Sequence, residues 1–128
     1  MTPSPLARVI TALLAVEGGG LLGLAGWEGV ALATGDTDST VSSIALIVLT
    51  VVGAAAVLAF SGAVWRGASW GRSGGIVTQL LILAVALGAV TGEDPQPGVA
   101  LALAVPAIVC LALLFAAVRR AGRSADAE

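Results

Sequence analysis

The sequence predicts an all-α fold: a transmembrane four-helix bundle with both termini on the cytoplasmic side (N-in/C-in). Three observations lead there. Of 128 residues, 58% are hydrophobic and only 11% are charged, with a mean hydropathy of +1.03. A soluble domain is about a quarter charged, and a chain this short cannot hide the excess apolar surface in a core. Next, the apolar residues fall into four long stretches separated by short polar breaks. Finally, the arginines sort to alternate breaks. This composition excludes a disordered segment, a disulfide-stapled secreted module and a nucleic-acid binder with a basic face.

A bilayer core of roughly 30 Å needs about 20 helical residues. The first span, about 9–33, ends at Gly35-Asp36-Thr37-Asp38. The second covers about 41–65 and is followed by a break from Arg66 to Ser73. The third, about 70–91, has its most apolar part between Ile76 and Val90; 15 residues reach only roughly 22 Å, so Trp70 to Gly75 must extend the helix or the bilayer must thin. Gly92-Glu93-Asp94-Pro95 stops it. The fourth, about 98–118, is closed by Arg119-Arg120; Asp94 is placed to cap it, and Pro95 and Pro97 suit a first turn. The four spans form one domain, 1–128. No stretch alternates with period two, so a β-barrel is not supported. Thr34-Gly35-Asp36 and Thr91-Gly92-Glu93 both end an outward-going span; shared turn chemistry explains this as well as an internal repeat, because Gly ends helices in left-handed dihedrals.

Charge sets the orientation. Arg8 precedes span one, Arg66 and Arg72 separate spans two and three, and Arg119, Arg120 and Arg123 follow span four. The other two breaks contain no Arg, only Asp36, Asp38, Glu93 and Asp94. With four spans, all six Arg fall on one side, and positive loops stay in the cytoplasm. Trp65 and Trp70 then sit at the inner interface and Trp27 at the outer one, as an aromatic belt requires. Arg8, the first apolar run and Ala31-Leu32-Ala33 loosely follow a signal-peptide pattern, but the run is too long for one and contains Glu17 and Glu28.

The first helix has two faces. Gly19, Gly23 and Gly26 share one, flanked by Ala12, Val16 and Val30, and Gly19/Gly23 form a GxxxG step. Small residues let helix backbones approach where no hydrophobic force drives association. This face packs either on a neighbour in the same bundle or on a second copy. Glu17 and Glu28, close to three turns apart, share the opposite face with Ile10, Leu14, Leu21 and Leu24. Glu28 lies beside Trp27 near the outer interface and can reach water. Glu17 lies eight residues beyond Val9, roughly 12 Å into the hydrocarbon. A carboxylate there is costly, so it should face the protein interior or carry a proton. Gln79 in span three lies at a similar depth, with Thr78 beside it; Ser61 and Cys110 also fall in the inner halves of their spans. The expected contact is a Glu17–Gln79 hydrogen bond. Its bland meaning is fixed helix register, and its functional meaning is a proton-titrating carboxyl. Pro106 frees the carbonyl of Ala102 and favours a kink in span four.

The missing residues narrow the chemistry. There is no His, Lys, Tyr or Asn, and all six basic residues are Arg. No triad, nucleophile elbow or metal-ligand spacing is visible. Gly18-Gly19-Gly20 lies inside an apolar span and is not a phosphate loop. The loops are too short for an aqueous active site, so no enzyme, metal or cofactor is expected. Cys110 is the one cysteine and cannot form an internal disulfide. A net charge of −2 implies no partner by itself. The dominance of Ala, Gly, Val and Arg, all with GC-rich codons, suggests a GC-rich genome.

The inner break reads Trp65-Arg66-Gly67-Ala68-Ser69-Trp70-Gly71-Arg72, running into Val77-Thr78-Gln79-Leu80-Leu81. Physically it is an interfacial anchor: indoles at headgroup depth, guanidinium groups on anionic phosphates. This pattern resembles a group of small four-span actinobacterial integral membrane proteins that have no assigned activity. The resemblance implies the four-helix fold and nothing about chemistry. Small multidrug-resistance exporters are similar in size, span number and an acid in helix one. They surround that acid with aromatics, however, whereas here it stands in Ala15-Val16-Glu17-Gly18-Gly19, and the near-even Arg distribution of dual topology is absent.

The expected function is a structural or accessory subunit of the cytoplasmic membrane that packs on itself or on a larger complex through Gly19, Gly23 and Gly26. Trp65, Arg66, Trp70 and Arg72 would set depth and hold anionic lipid. The alternative is a proton-linked small transporter or channel using Glu17 and Gln79.

Overall fold

The computed structural model describes residues 2–127. Four helices follow one another with short connections: α1 (Pro5–Ala33), α2 (Thr40–Trp65), α3 (Ser69–Thr91) and α4 (Pro97–Ala127). Each is long and apolar enough to cross a membrane. Helices satisfy their own backbone groups, which is why an apolar chain can cross hydrocarbon in this form. Every helix packs against the next in chain order, and α4 closes the ring on α1 through the lightest of the four contacts.

The caps are local chemistry. Ser4 precedes α1 and its hydroxyl accepts from the Ala7 amide at 3.1 Å, with Pro at the start of the helix. Ser39 caps α2 in the same way, accepting from Ser42 at 3.3 Å. The expected Asp94 cap is not used: α4 begins at Pro97, and the Gln96 carbonyl accepts its first bond, from Ala100. Proline fits there because the first helical residue needs no N–H. Two of the turns place a glycine at φ 75°, Gly35 after α1 and Gly67 after α2. Gly92 after α3 has φ −71° and ψ 177°. The ends of α1 and α3 therefore differ, and left-handed turn chemistry does not explain the similarity of Thr34-Gly35-Asp36 to Thr91-Gly92-Glu93.

Helix lengths differ from the apolar spans in two places. The α3 helix starts at Ser69, so it includes Trp70 to Gly75 and its 23 residues reach roughly 35 Å. The α4 helix does not stop at Arg119-Arg120 but continues to Ala127, 31 residues in all. Arg and Ala are strong helix formers, so leaving hydrocarbon is no reason for the helix to end.

The core is unevenly built. Its larger buried side chains, Ile10, Leu14, Val57, Val64, Cys110 and Leu114, form one cluster. They come from the first half of α1, the second half of α2 and the middle of α4. Buried Gly71, Gly75 and Gln79 come from the first half of α3. All lie toward the arginine-bearing end. Toward the other end the buried positions are Ala25, Ala54, Ala86 and Ala100. Close approach in the first region is made by glycines. A methyl on Gly71 would stand 2.6 Å from both the Ala63 Cβ and the Val64 backbone nitrogen. One on Gly18 would stand 2.6 Å from Leu58 Cγ, and one on Gly74 would overlap the Phe60 ring.

The outside is apolar. Val16, Trp27, Val30, Val41, Leu49, Leu81 and Leu101 are among many large exposed hydrophobic residues. A soluble monomer seldom exposes so much contiguous apolar surface, whereas lipid tails accept it.

Candidate functional site

The polar centre of the bundle is a pair. Gln79 of α3 is fully buried, and its Nε2 donates to Glu17 Oε2 of α1 at 2.7 Å. The two helices lie across the ring from each other, so this bond crosses the bundle. Backbone thinness makes it reachable: the position above it on α3 is Gly75, where a methyl would come within 3.1 Å of Leu114 and 3.5 Å of Leu14. Glu17 itself is only partly buried. Gln79 Oε1 is enclosed and has no hydrogen-bond partner.

The other polar groups near that depth satisfy themselves elsewhere. Ser61 Oγ donates to the Thr11 carbonyl at 2.8 Å, tying α2 to α1. Thr78 Oγ1 donates back to the Gly74 carbonyl of its own helix at 2.9 Å. Cys110 is a fully buried free thiol within the core cluster. Glu28 is partly buried, and its Oε2 is enclosed without a hydrogen-bond partner. Leu24, on the same face by periodicity, is exposed.

The glycine face of α1 points outward. Gly19, Gly23 and Gly26 are exposed or nearly bare of neighbours, and a methyl on any of them would meet nothing within 4 Å. Ala12, Val16 and Val30 beside them are exposed too. Packing of this face inside the same bundle is therefore excluded. The glycines that do bring helices together, Gly18, Gly71, Gly74 and Gly75, escaped the sequence reading. The spacing of Gly71 and Gly75 is itself a GxxxG step, and that was the signal available.

At the inner break, Trp65 and Trp70 are about half exposed. The Trp70 ring meets Phe60 edge-on, with centroids 6.1 Å apart and planes at 69°. Arg66 Nε donates to the Gly62 carbonyl and Arg72 Nη1 to the Gly67 carbonyl, each at 3.3 Å. The Arg66 arm is thus held to the last turn of α2, and the Arg72 arm to the turn that follows it.

Four spanning helices with an apolar exterior and a buried polar pair define a multi-pass α-helical membrane protein. Compared with protein-family models, curated proteins and solved structures, the chain matches none.

Proposed function

We propose that this chain is a non-enzymatic structural or accessory subunit of the cytoplasmic membrane, packing against a second copy or a larger membrane complex through the outward glycine face of α1. The reading is carried by the open surface at Gly19, Gly23 and Gly26. A helix that turns its acid inward and its glycines outward has solved its own packing and leaves a flat seam for another helix. Orientation follows from charge: arginines from the α2–α3 turn and from α4 meet near the N-terminus, and the positive-inside rule places that end in the cytoplasm. The Trp65/Arg66/Trp70/Arg72 turn then anchors the inner interface. The resemblance of this turn to small actinobacterial four-span proteins implies the four-helix fold and adds no activity.

The test is native mass spectrometry of the protein gently extracted from its own membrane, with Gly23→Leu beside the wild type. A stoichiometric partner or a homo-oligomer that Gly23→Leu abolishes is the expected result. A wild-type monomer overturns the reading.

One observation favours the alternative, a proton-linked small transporter or channel: Glu17 is only partly buried and one of its oxygens is left beyond the Gln79 bond. In proteoliposomes Glu17→Gln should leave proton flux unchanged for a scaffold and abolish it for a transporter.

A further inference from the structure

The arginine-bearing end of the bundle contains a cleft of about 440 Å³. Four parts of the chain meet there: the N-terminus of α1 (Ser4, Leu6), the end of α2 with its turn (Trp65, Arg66), the start of α3 (Arg72) and the far end of α4 (Arg120). Its charge is one-sided. Among the described residues, three guanidinium groups line it and no carboxylate does. The first turn of α1 contains no acid, so the positive end of that helix dipole adds to the same field. The cleft is also built rather than incidental. Arg66 gives one N–H to a backbone carbonyl in the last turn of α2, and Arg72 gives one to a carbonyl of the turn that follows it, which fixes where their heads lie. A guanidinium has five donors, so four remain on each for a ligand. The extension of α4 past Val118 is what brings the third arginine over the opening.

We propose that this cleft is a binding site for a phosphate group, supplied by the headgroup of an anionic glycerophospholipid. Planar guanidinium forks match phosphate oxygens in pairs, and basic pockets between membrane helices on the cytoplasmic side hold anionic headgroups by this chemistry. The volume lies within the range of small-molecule sites. Leu6 and Val64 form an apolar part of the wall against which the glycerol backbone and the first acyl carbons rest, and half-exposed Trp65 stands at the same depth. A free phosphate ion would use the arginines and leave that wall bare. The cleft does not involve the glycine face of α1, so it stands or falls independently of the packing role.

The experiment is native mass spectrometry of the purified full chain in detergent, titrated separately with phosphatidylglycerol and with phosphatidylcholine of equal chain length. Inorganic phosphate is then added as a competitor. The expected result is one phosphatidylglycerol held at least about tenfold more tightly than phosphatidylcholine. Arg66→Gln/Arg120→Gln should weaken it about tenfold or more, since each lost charge-assisted pair removes a strong contact. Arg119→Gln/Arg123→Gln removes the same charge from two arginines of the adjoining α4 pocket, which shares Arg120 with the cleft but whose Arg119 and Arg123 do not line it, and should change affinity less than about twofold. Arg66 and Arg120 are exposed, and unchanged far-UV circular dichroism will show that their replacement leaves the helices intact. If that pair lowers helicity, Arg120→Gln alone serves, with a loss of affinity still expected. Displacement of the lipid by millimolar inorganic phosphate would assign the site to a soluble phosphate instead of a headgroup. Equal binding of both lipids, or wild-type affinity in the Arg66/Arg120 variant, would overturn the proposal.

Discussion

At the scale of single residues, α1 and α3 separate two kinds of glycine. Gly71 lies against the backbone of α2, so Gly71→Ala forces helices apart and should cost about 1–3 kcal/mol, the range for overpacking a well-packed contact. Gly23 has open space within the single bundle, so in the dissociated monomer Gly23→Ala should be neutral or stabilising by up to about 1 kcal/mol, as for Gly→Ala in a helix interior. Thermal unfolding of the two variants in the same detergent checks the contrast, and equal losses would contradict it. The Glu17–Gln79 pair is the other residue-scale test. Interhelical polar contacts in membranes average below about 1 kcal/mol. A double-mutant cycle of Glu17→Gln with Gln79→Leu should therefore return a coupling of that order; a coupling several times larger would mean the pair does more than fix register. The pair itself was legible in the sequence, because two polar residues at matched depth in different helices have few other partners. Which glycines face inward was not legible, because lipid and core are both apolar and hydrophobic periodicity cannot tell them apart.

At the scale of elements, turns punctuate the chain more sharply than the ends of the apolar runs do. Gly35 and Gly67 hold left-handed dihedrals, where a Cβ crowds the following carbonyl. Gly67→Ala should cost roughly 1–2 kcal/mol and loosen the Arg72 contact to the Gly67 carbonyl, whereas the same change at Gly92, whose φ is −71° and whose added methyl would meet only the Gly88 carbonyl oxygen, at 3.2 Å, should cost less. Chemical unfolding of both variants distinguishes them. Helix identity and order were readable from hydropathy alone. The continuation of α4 through Arg119, Arg120 and Arg123 was not, since a hydropathy boundary marks where a helix leaves hydrocarbon and says nothing about where its hydrogen bonds stop. The start of α4 was misplaced for a related reason: Asp94 is the better capping residue, but Pro95 and Pro97 suit a first helical position equally, and the helix opens at the second of them.

At the scale of the whole molecule, chain order builds a ring in which one end is packed by branched and sulfur side chains and the other by alanines. The arginines and the cleft lie at the packed end. The proposed orientation puts that end in the cytoplasm on the strength of its charge, and cysteine labelling tests it. A membrane-impermeant maleimide applied to intact cells should modify Thr37→Cys and spare Ser124→Cys, with both labelled after lysis. The reverse pattern would invert the topology. Both sites are on exposed or partly exposed positions outside the packed core, while the native thiol is shielded.

That shielding has a use of its own. Cys110 is the single thiol of the chain, with no accessible surface, and it touches the cluster formed by α1, α2 and α4. A permeant thiol reagent can reach it only when those helices part. The rate of its modification in a bilayer is then set by the equilibrium between closed and transiently open bundles, so long as reclosing outpaces the chemistry. The chain thus reports its own breathing, and the free energy of opening can be followed in native lipid without an introduced probe.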